Sequence, residues 1–124
     1  WDVCDRVHVM YAARLAEKGS KNEVFARPAH PYTRGLLAAM PRLHKRSERL
    51  PDIPGQLPSL AHPPPGCRFA PRCPLARAVC SRRTPQMRAV EPGHEMACWD
   101  GIWEEAGRPE VGDQRSEVGM ERLK

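Results

Sequence analysis

The sequence predicts an α+β fold: a β-hairpin and two short helices, followed by a proline-rich, mostly irregular extension ligated through cysteines. Three observations predict it. The segment "RVHVMYAARLAEKG" is rich in β-formers and alternates Val7, Val9 and Tyr11 with His8 and Met10. Two helix-start signatures follow in close succession, at Ser20 and at Pro31. Beyond them, prolines crowd between Pro51 and Pro74, and thiols gather at Cys67, Cys73, Cys80 and Cys98.

The hairpin is expected over residues 6 to 18, with its turn at Ala12-Ala13, although no Asn-Gly or Asp-Gly pair marks that turn. Ser20-Lys21-Asn22-Glu23 has the form of a capping box, in which hydroxyl and carboxylate satisfy the free amides of a helix start. Val24 and Phe25 give that helix an apolar edge, and Pro28 ends it after about two turns. Pro31 suits the first position of a second helix, where its missing N–H is no loss. Tyr32, Leu36 and Met40, widened by Leu37, form an apolar stripe along it until Pro41 closes the helix. The hairpin is the sizeable partner this chain offers for that stripe; left uncovered, the stripe predicts self-association.

Residues 1–43 thus read as one unit, and the charge run "RLHKRSER" at 42–49 reads as a solvated linker. Residues 44–66 read as an extended, polyproline-like linker, residues 67–99 as a cysteine loop, and residues 100–124 as a disordered tail with few apolar anchors. The 14 prolines, 6% aromatic content and mean hydropathy of −0.62 leave little for a large continuous core. The net charge is +5, but the arginines are scattered rather than lined along one helix, so nucleic-acid binding is not expected. No apolar run approaches the ~20 residues of a membrane span, and no signal-peptide pattern opens the chain, so it reads as soluble. Trp1 leads directly into a strand pattern with no capping turn, as in a piece of a longer chain.

The thiols read as C-x5-C-x6-C-x17-C, with Cys4 far upstream as a packed strand-end thiol. Ordinary burial explains them poorly, because few apolar residues lie beside them. Disulfide pairing would leave a fifth cysteine over, and nothing indicates an oxidising compartment. Metal ligation accounts for them best: four thiolates satisfy tetrahedral zinc or a cubane iron–sulfur cluster equally well by count. The wide separations, with no C-x2-C turn, let a loop wrap a larger object. Ligation would also order a segment with little core of its own. Histidines at 62 and 94 are expected to be surface or capping residues rather than ligands. No nucleophile–base constellation is recognisable.

"CDRVHVMYAARLAEKG", "VFARPAHPYTRGLLAAMPRL", "IPGQLPSLAHPPPGCRFAPRCPLARAVC" and "EPGHEMACW" together resemble the carboxy-terminal region of the ATP-binding subunits of oligopeptide and dipeptide ABC importers. His30-Pro31-Tyr32 matches the family's hallmark triplet and "GCRFAPRCPLA" its cysteine loop. The resemblance implies that residues 1–43 end a nucleotide-binding domain and that the extension carries a [4Fe-4S] cluster on Cys67, Cys73, Cys80 and Cys98. It implies a structural or regulatory role for that cluster, and ATP as a ligand of the full-length parent alone. It further implies a second ATP-binding subunit and transmembrane permease subunits as partners, fed by an external binding protein, at the cytoplasmic face of the cell membrane. No phosphate-cradling G-x-x-x-x-G-K-[ST] loop, signature loop or switch histidine matches here, so this stretch alone is expected neither to bind nor to hydrolyse ATP. Ala13 stands where the family commonly has glycine, which argues against a positive-φ turn there. A freestanding zinc-binding interaction module and, further off, a cluster-dependent redox protein are the alternative readings.

Overall fold

The computed structural model describes residues 3–41 and 51–99. Two strands, β1 (Arg6–Tyr11) and β2 (Arg14–Ser20), form the expected antiparallel hairpin. Its two-residue turn holds Ala12 at φ 47° and Ala13 at φ 62°. Contrary to the sequence expectation, both alanines adopt the left-handed conformation, because a two-residue turn between right-twisted strands requires it. The Arg68 guanidinium donates to the Ala12 carbonyl and helps hold the turn. Alanine is strained in this region and glycine is not, so Ala13→Gly is expected to stabilise the chain by about 1 kcal/mol, read as a raised urea midpoint.

Ser20 caps α1 (Lys21–Ala26): its Oγ accepts the Glu23 N–H at 3.2 Å, and the Glu23 carboxylate accepts the Ser20 N–H at 2.9 Å. Helix α2 (Pro31–Ala39) begins on Pro31, with His30 as the cap. Its buried residues are Pro31 and Thr33, whereas Leu36 and Met40 remain partly exposed. The predicted stripe is therefore not fully covered by the hairpin. Part of the cover on α2 comes instead from the linker, where Ile53 lies so close to Gly35 that an added Cβ would meet it at 2.8 Å. Residues 51–66 contain neither helix nor strand, as expected for the linker; the charge run at 42–49 and the tail at 100–124 lie outside the described residues.

The extension is more regular than the sequence predicts. It contains a 3₁₀ turn (Ala70–Arg72), a short helix α3 (Ala78–Arg82), and strands β3 (Arg88–Glu91) and β4 (His94–Met96). A Pro92-Gly93 turn, with Gly93 at φ 83°, joins these last strands. β4 pairs with β2, giving one antiparallel sheet of order β1-β2-β4-β3 that draws on both ends of the described chain.

Nor is the extension coreless. Phe69 and Met96 are buried alongside Tyr11, Ala16 and Val24. Phe69 packs edge-on to Tyr11 at 5.1 Å and against Tyr32 at 5.3 Å, joining cysteine loop, hairpin and α2 in one aromatic cluster. Arg72 strengthens the joint, donating to the carbonyls of Ile53 (2.7 Å) and Pro54 (3.1 Å) and to the Tyr11 hydroxyl (3.3 Å). No helix among the described residues is long and apolar enough to cross a membrane.

Candidate functional site: four thiols beside a buried carboxylate

The four grouped cysteines converge. Cys67, Cys73, Cys80 and Cys98 all line one small cavity of about 10 Å³, closed by His30, Phe69, Leu75 and Trp99 among others. None of the chain's five cysteines is bridged to another. Cys4 stands apart and is exposed rather than packed, because the described strand β1 begins two residues beyond it.

Local backbone explains how these thiols are brought together. Gly66, at φ 79°, lets the chain pass against α3, and the Cys67 N–H donates to the Cys80 carbonyl at 2.7 Å. An added Cβ at Gly66 would lie 2.4 Å from that same carbonyl oxygen. The 3₁₀ turn then carries the chain from Cys67 round to Cys73. Cys98 is placed by its neighbours. The Ala97 N–H donates to the Ala16 carbonyl at 2.8 Å, while the Trp99 indole donates to the Arg83 carbonyl at 2.7 Å and the Trp99 carbonyl accepts from Arg88 at 3.0 Å.

The electrostatics of the thiols are mixed. Burial pushes the Cys67 thiol above its ordinary pKa and nearby Cys80 adds to this, against hydrogen bonds from the backbone at Phe69 and Ala70 that favour the thiolate. Burial likewise raises Cys73, with Cys67 and Cys80 adding and a hydrogen bond at Leu75 opposing. Cys98 is pushed up to about 12, first by burial and then by Cys67, Cys73 and Cys80. Cys80 Sγ accepts the Arg77 N–H at 3.4 Å. Backbone hydrogen bonding thus favours the thiolate at Cys67, Cys73 and Cys80, in surroundings where thiolates without a cation are unfavourable.

That donor chemistry fits a cationic centre, whose charge would offset mutually repelling thiolates. Free volume does not carry the fit, since a cavity of about 10 Å³ has room for little more than one water. Among the described residues, no three His, Cys, Asp or Glu side chains are gathered so as to hold a metal ion as they stand. His62 is exposed, as expected, but His94 is fully buried, correcting its assignment to the surface.

His94 belongs to a second, adjoining feature that sequence reasoning missed. A β-bulge opposite Val9 and Met10 allows Ala16 and Glu17 to be buried in succession. Fully buried Glu17 accepts the Ala29 N–H on Oε1 and the His30 N–H on Oε2, both at 2.9 Å. His94 Nε2 lies 2.6 Å from Oε1. With both oxygens already accepting, the carboxyl acts as a carboxylate and the imidazole supplies the hydrogen. Gly19 makes the room: a Cβ there would meet the His94 ring at 3.0 Å. The signal available in sequence was a lone glutamate in an otherwise buried strand face.

His30 caps α2 through its ring, with Nδ1 accepting the Tyr32 N–H at 3.0 Å. Burial holds His30 down to about 4, against the opposing pull of Glu17 and of a hydrogen bond to the Ala97 backbone. The folded form therefore binds fewer protons than the unfolded chain. This contribution to stability is complete above about pH 6.5 and is lost as pH falls towards 4, at up to about 1.4 kcal/mol per pH unit. Urea titrations at about pH 7.5 and about pH 5 should show a lower midpoint in acid, with a smaller drop in His30→Asn.

The family model described as oligopeptide/dipeptide transporter, C-terminal region, matches residues 16–80, more than half of the chain. The chain belongs to this family. Among curated relatives, a probable peptide ABC transporter ATP-binding protein of Sinorhizobium fredii is 50% identical over 99 residues, covering 79% of this chain and 30% of that protein. Dipeptide transport ATP-binding protein DppD of Bacillus subtilis is 46% identical over 97 residues, covering 78% and 29%. A putative peptide import ATP-binding protein of Brucella ovis is 48% identical over 98 residues, covering 77% and 31%. The chain therefore spans about three tenths of the length of these relatives. The match takes in most of the hairpin's second strand, both helices α1 and α2 and three of the four grouped cysteines.

Proposed function

We propose that this chain is the carboxy-terminal portion of the ATP-binding subunit of an oligopeptide or dipeptide importer, and that its extension is ordered by a [4Fe-4S] centre on Cys67, Cys73, Cys80 and Cys98. The observation that carries the centre is the shared cavity lined by all four thiols, with the Cys80 sulfur accepting the Arg77 N–H. The family match and the printed names of the relatives support the transporter assignment. When bound, the centre supplies a cationic core for the thiolates and a covalent tie between distant points of the chain. Everything else is done by the chain itself. Phe69 seals the cavity against the aromatic cluster, Arg72 fastens the linker, and Glu17 holds the helix start and β4 on the sheet.

In this reading the extension has a structural or regulatory role, and ATP hydrolysis belongs to the parent subunit. Its partners are a second ATP-binding subunit and the membrane permeases, at the cytoplasmic face of the cell membrane. The segments 1–43, 44–66, 67–99 and 100–124 correspond to domain end, linker, cysteine loop and tail. A single zinc ion would need the four sulfurs about 3.8 Å from one another, given a Zn–S bond of about 2.3 Å.

Anaerobic purification followed by iron, acid-labile sulfide and zinc analysis tests the proposal. About four irons and four sulfides per chain are expected, both lost in Cys73→Ser. Stoichiometric zinc without sulfide would replace the cluster with zinc, and neither metal would reduce the thiols to packing groups.

A further inference from the structure

A second cleft, of about 330 Å³, lies between the hairpin turn and the cysteine loop. Its size falls at the lower end of the range for small-molecule sites. Stretches of chain from the hairpin, the cysteine loop and the approach to β3 meet around it, and hydrogen bonds tie them to one another. Arg68 donates to the Ala12 carbonyl, Thr84 Oγ1 donates to the Gly66 carbonyl at 3.2 Å, and the Ala97 N–H donates to the Ala16 carbonyl at 2.8 Å. The cleft is therefore formed before anything enters it, which leaves little ordering cost to a ligand.

Its chemistry is one-sided. Leu15, Pro85 and Met87 give it apolar walls, and Phe69, only 3% exposed, lies at its inner end. Arg14 and Arg68 are the arginines that line it, and no Asp or Glu is among the described residues that do. Arg14 is exposed and Arg68 half-buried, so the positive charge lies toward solvent over an apolar interior. Arg68 spends one of its five N–H groups on the very turn that Arg14 follows, which brings the two guanidinium-bearing segments together.

We propose that this cleft is a binding site for a small apolar carboxylate, whose hydrocarbon body lies against Leu15, Met87 and Phe69 and whose carboxylate is held by Arg14 and Arg68. Guanidinium groups match a carboxylate in shape and charge, and the walls remove the body of the ligand from water. A bare phosphate would leave those walls uncovered. The carboxyl end of a short peptide and a simple aliphatic acid present the same chemistry. The cleft adjoins the thiols, because Cys67, Phe69 and His30 line both it and the smaller cavity. An occupant would lie beside Cys67, yet the site rests on the cleft alone and not on the metal reading.

Titration of the 124-residue chain with N-acetyl-leucine, N-acetyl-leucinamide, hexanoate and inorganic phosphate tests the proposal, with amide NMR shifts locating each ligand. At least one of the two carboxylates is expected to bind with a Kd below about 1 mM and to shift residues 14–16, 67–69 and 86–87. N-acetyl-leucinamide lacks only the carboxylate, and Arg14→Gln removes an exposed guanidinium. Each change should weaken the binding about tenfold, the worth of one charge-assisted hydrogen bond. Tighter binding of N-acetyl-leucine than of hexanoate assigns the site to peptide carboxyl ends, and the reverse order assigns it to aliphatic acids; both support the proposal. Lack of saturation by either carboxylate up to about 10 mM overturns it. So does equal binding of the amide, unchanged affinity in Arg14→Gln, or displacement by phosphate at the same concentration.

Discussion

Gly66→Ala is expected to unfold the cysteine extension. The residue sits at φ 79°, where a side chain costs about 1–2 kcal/mol even in open space. Here the space is closed, with the new Cβ 2.4 Å from the Cys80 carbonyl oxygen, 2.8 Å from Ser81 carbonyl carbon and 2.9 Å from the Arg83 amide nitrogen. All three neighbours are backbone, so no side chain can rotate away. The Cys67 N–H to Cys80 carbonyl bond must break for the methyl to fit, and with it goes the approach of two of the four thiols. We expect a loss of at least about 3 kcal/mol, combining backbone strain, overpacking and the lost hydrogen bond. A denaturant titration reads the loss, and cysteine labelling should show all four grouped thiols opening together. A midpoint within experimental scatter of wild type would mean that Gly66 is not the pivot of the loop.

Glu17→Ala should be nearly as damaging for a different reason. One carboxylate terminates three donors: the Ala29 and His30 amides and the His94 imidazole. Removing it leaves all three buried without an acceptor, which costs about 3–5 kcal/mol. The loss should appear at two separated places, because the α1–α2 junction and strand β4 are held by the same group. Amide exchange of residues 29–33 and 94–97 is expected to accelerate together in Glu17→Ala. Acceleration at one location alone would show that Glu17 does not hold both. Glu17→Gln retains an acceptor oxygen and should fall between the variant and wild type.

The hairpin, both capping signals and the helix ends were legible in the sequence because each rests on local chemistry. Ser20 and Glu23 satisfy amides three residues away, and Pro31 needs only its own ring. Strands β3 and β4 were not legible, since four and three residues carry no reliable alternation and exist through pairing, β4 with β2 and β3 with β4. The Pro92-Gly93 turn was the one local sign of them. The same holds for the site. The cysteines announced themselves by grouping, but Glu17 and His94 meet across 77 residues, and the lone glutamate on its strand face does not say which residue it will meet. The turn at Ala12-Ala13 shows the opposite failure, in which a local rule favouring glycine is overridden by the twist of the paired strands. Reading the extension as lacking a core was a similar error of locality, because Phe69 and Met96 find their apolar partners on the hairpin and α2 rather than beside themselves in sequence.

The account's central claim is that a centre held by four thiolates sets the order of residues 67–99. Amide hydrogen exchange across those residues, compared between the anaerobically purified chain and the same chain after iron is chelated, addresses it most directly. Protection should collapse in the cysteine loop and in β3–β4 while the β1–β2 hairpin keeps most of its own. Equal protection in both samples would contradict the claim and leave the aromatic cluster and Glu17 as the sole organisers of the extension.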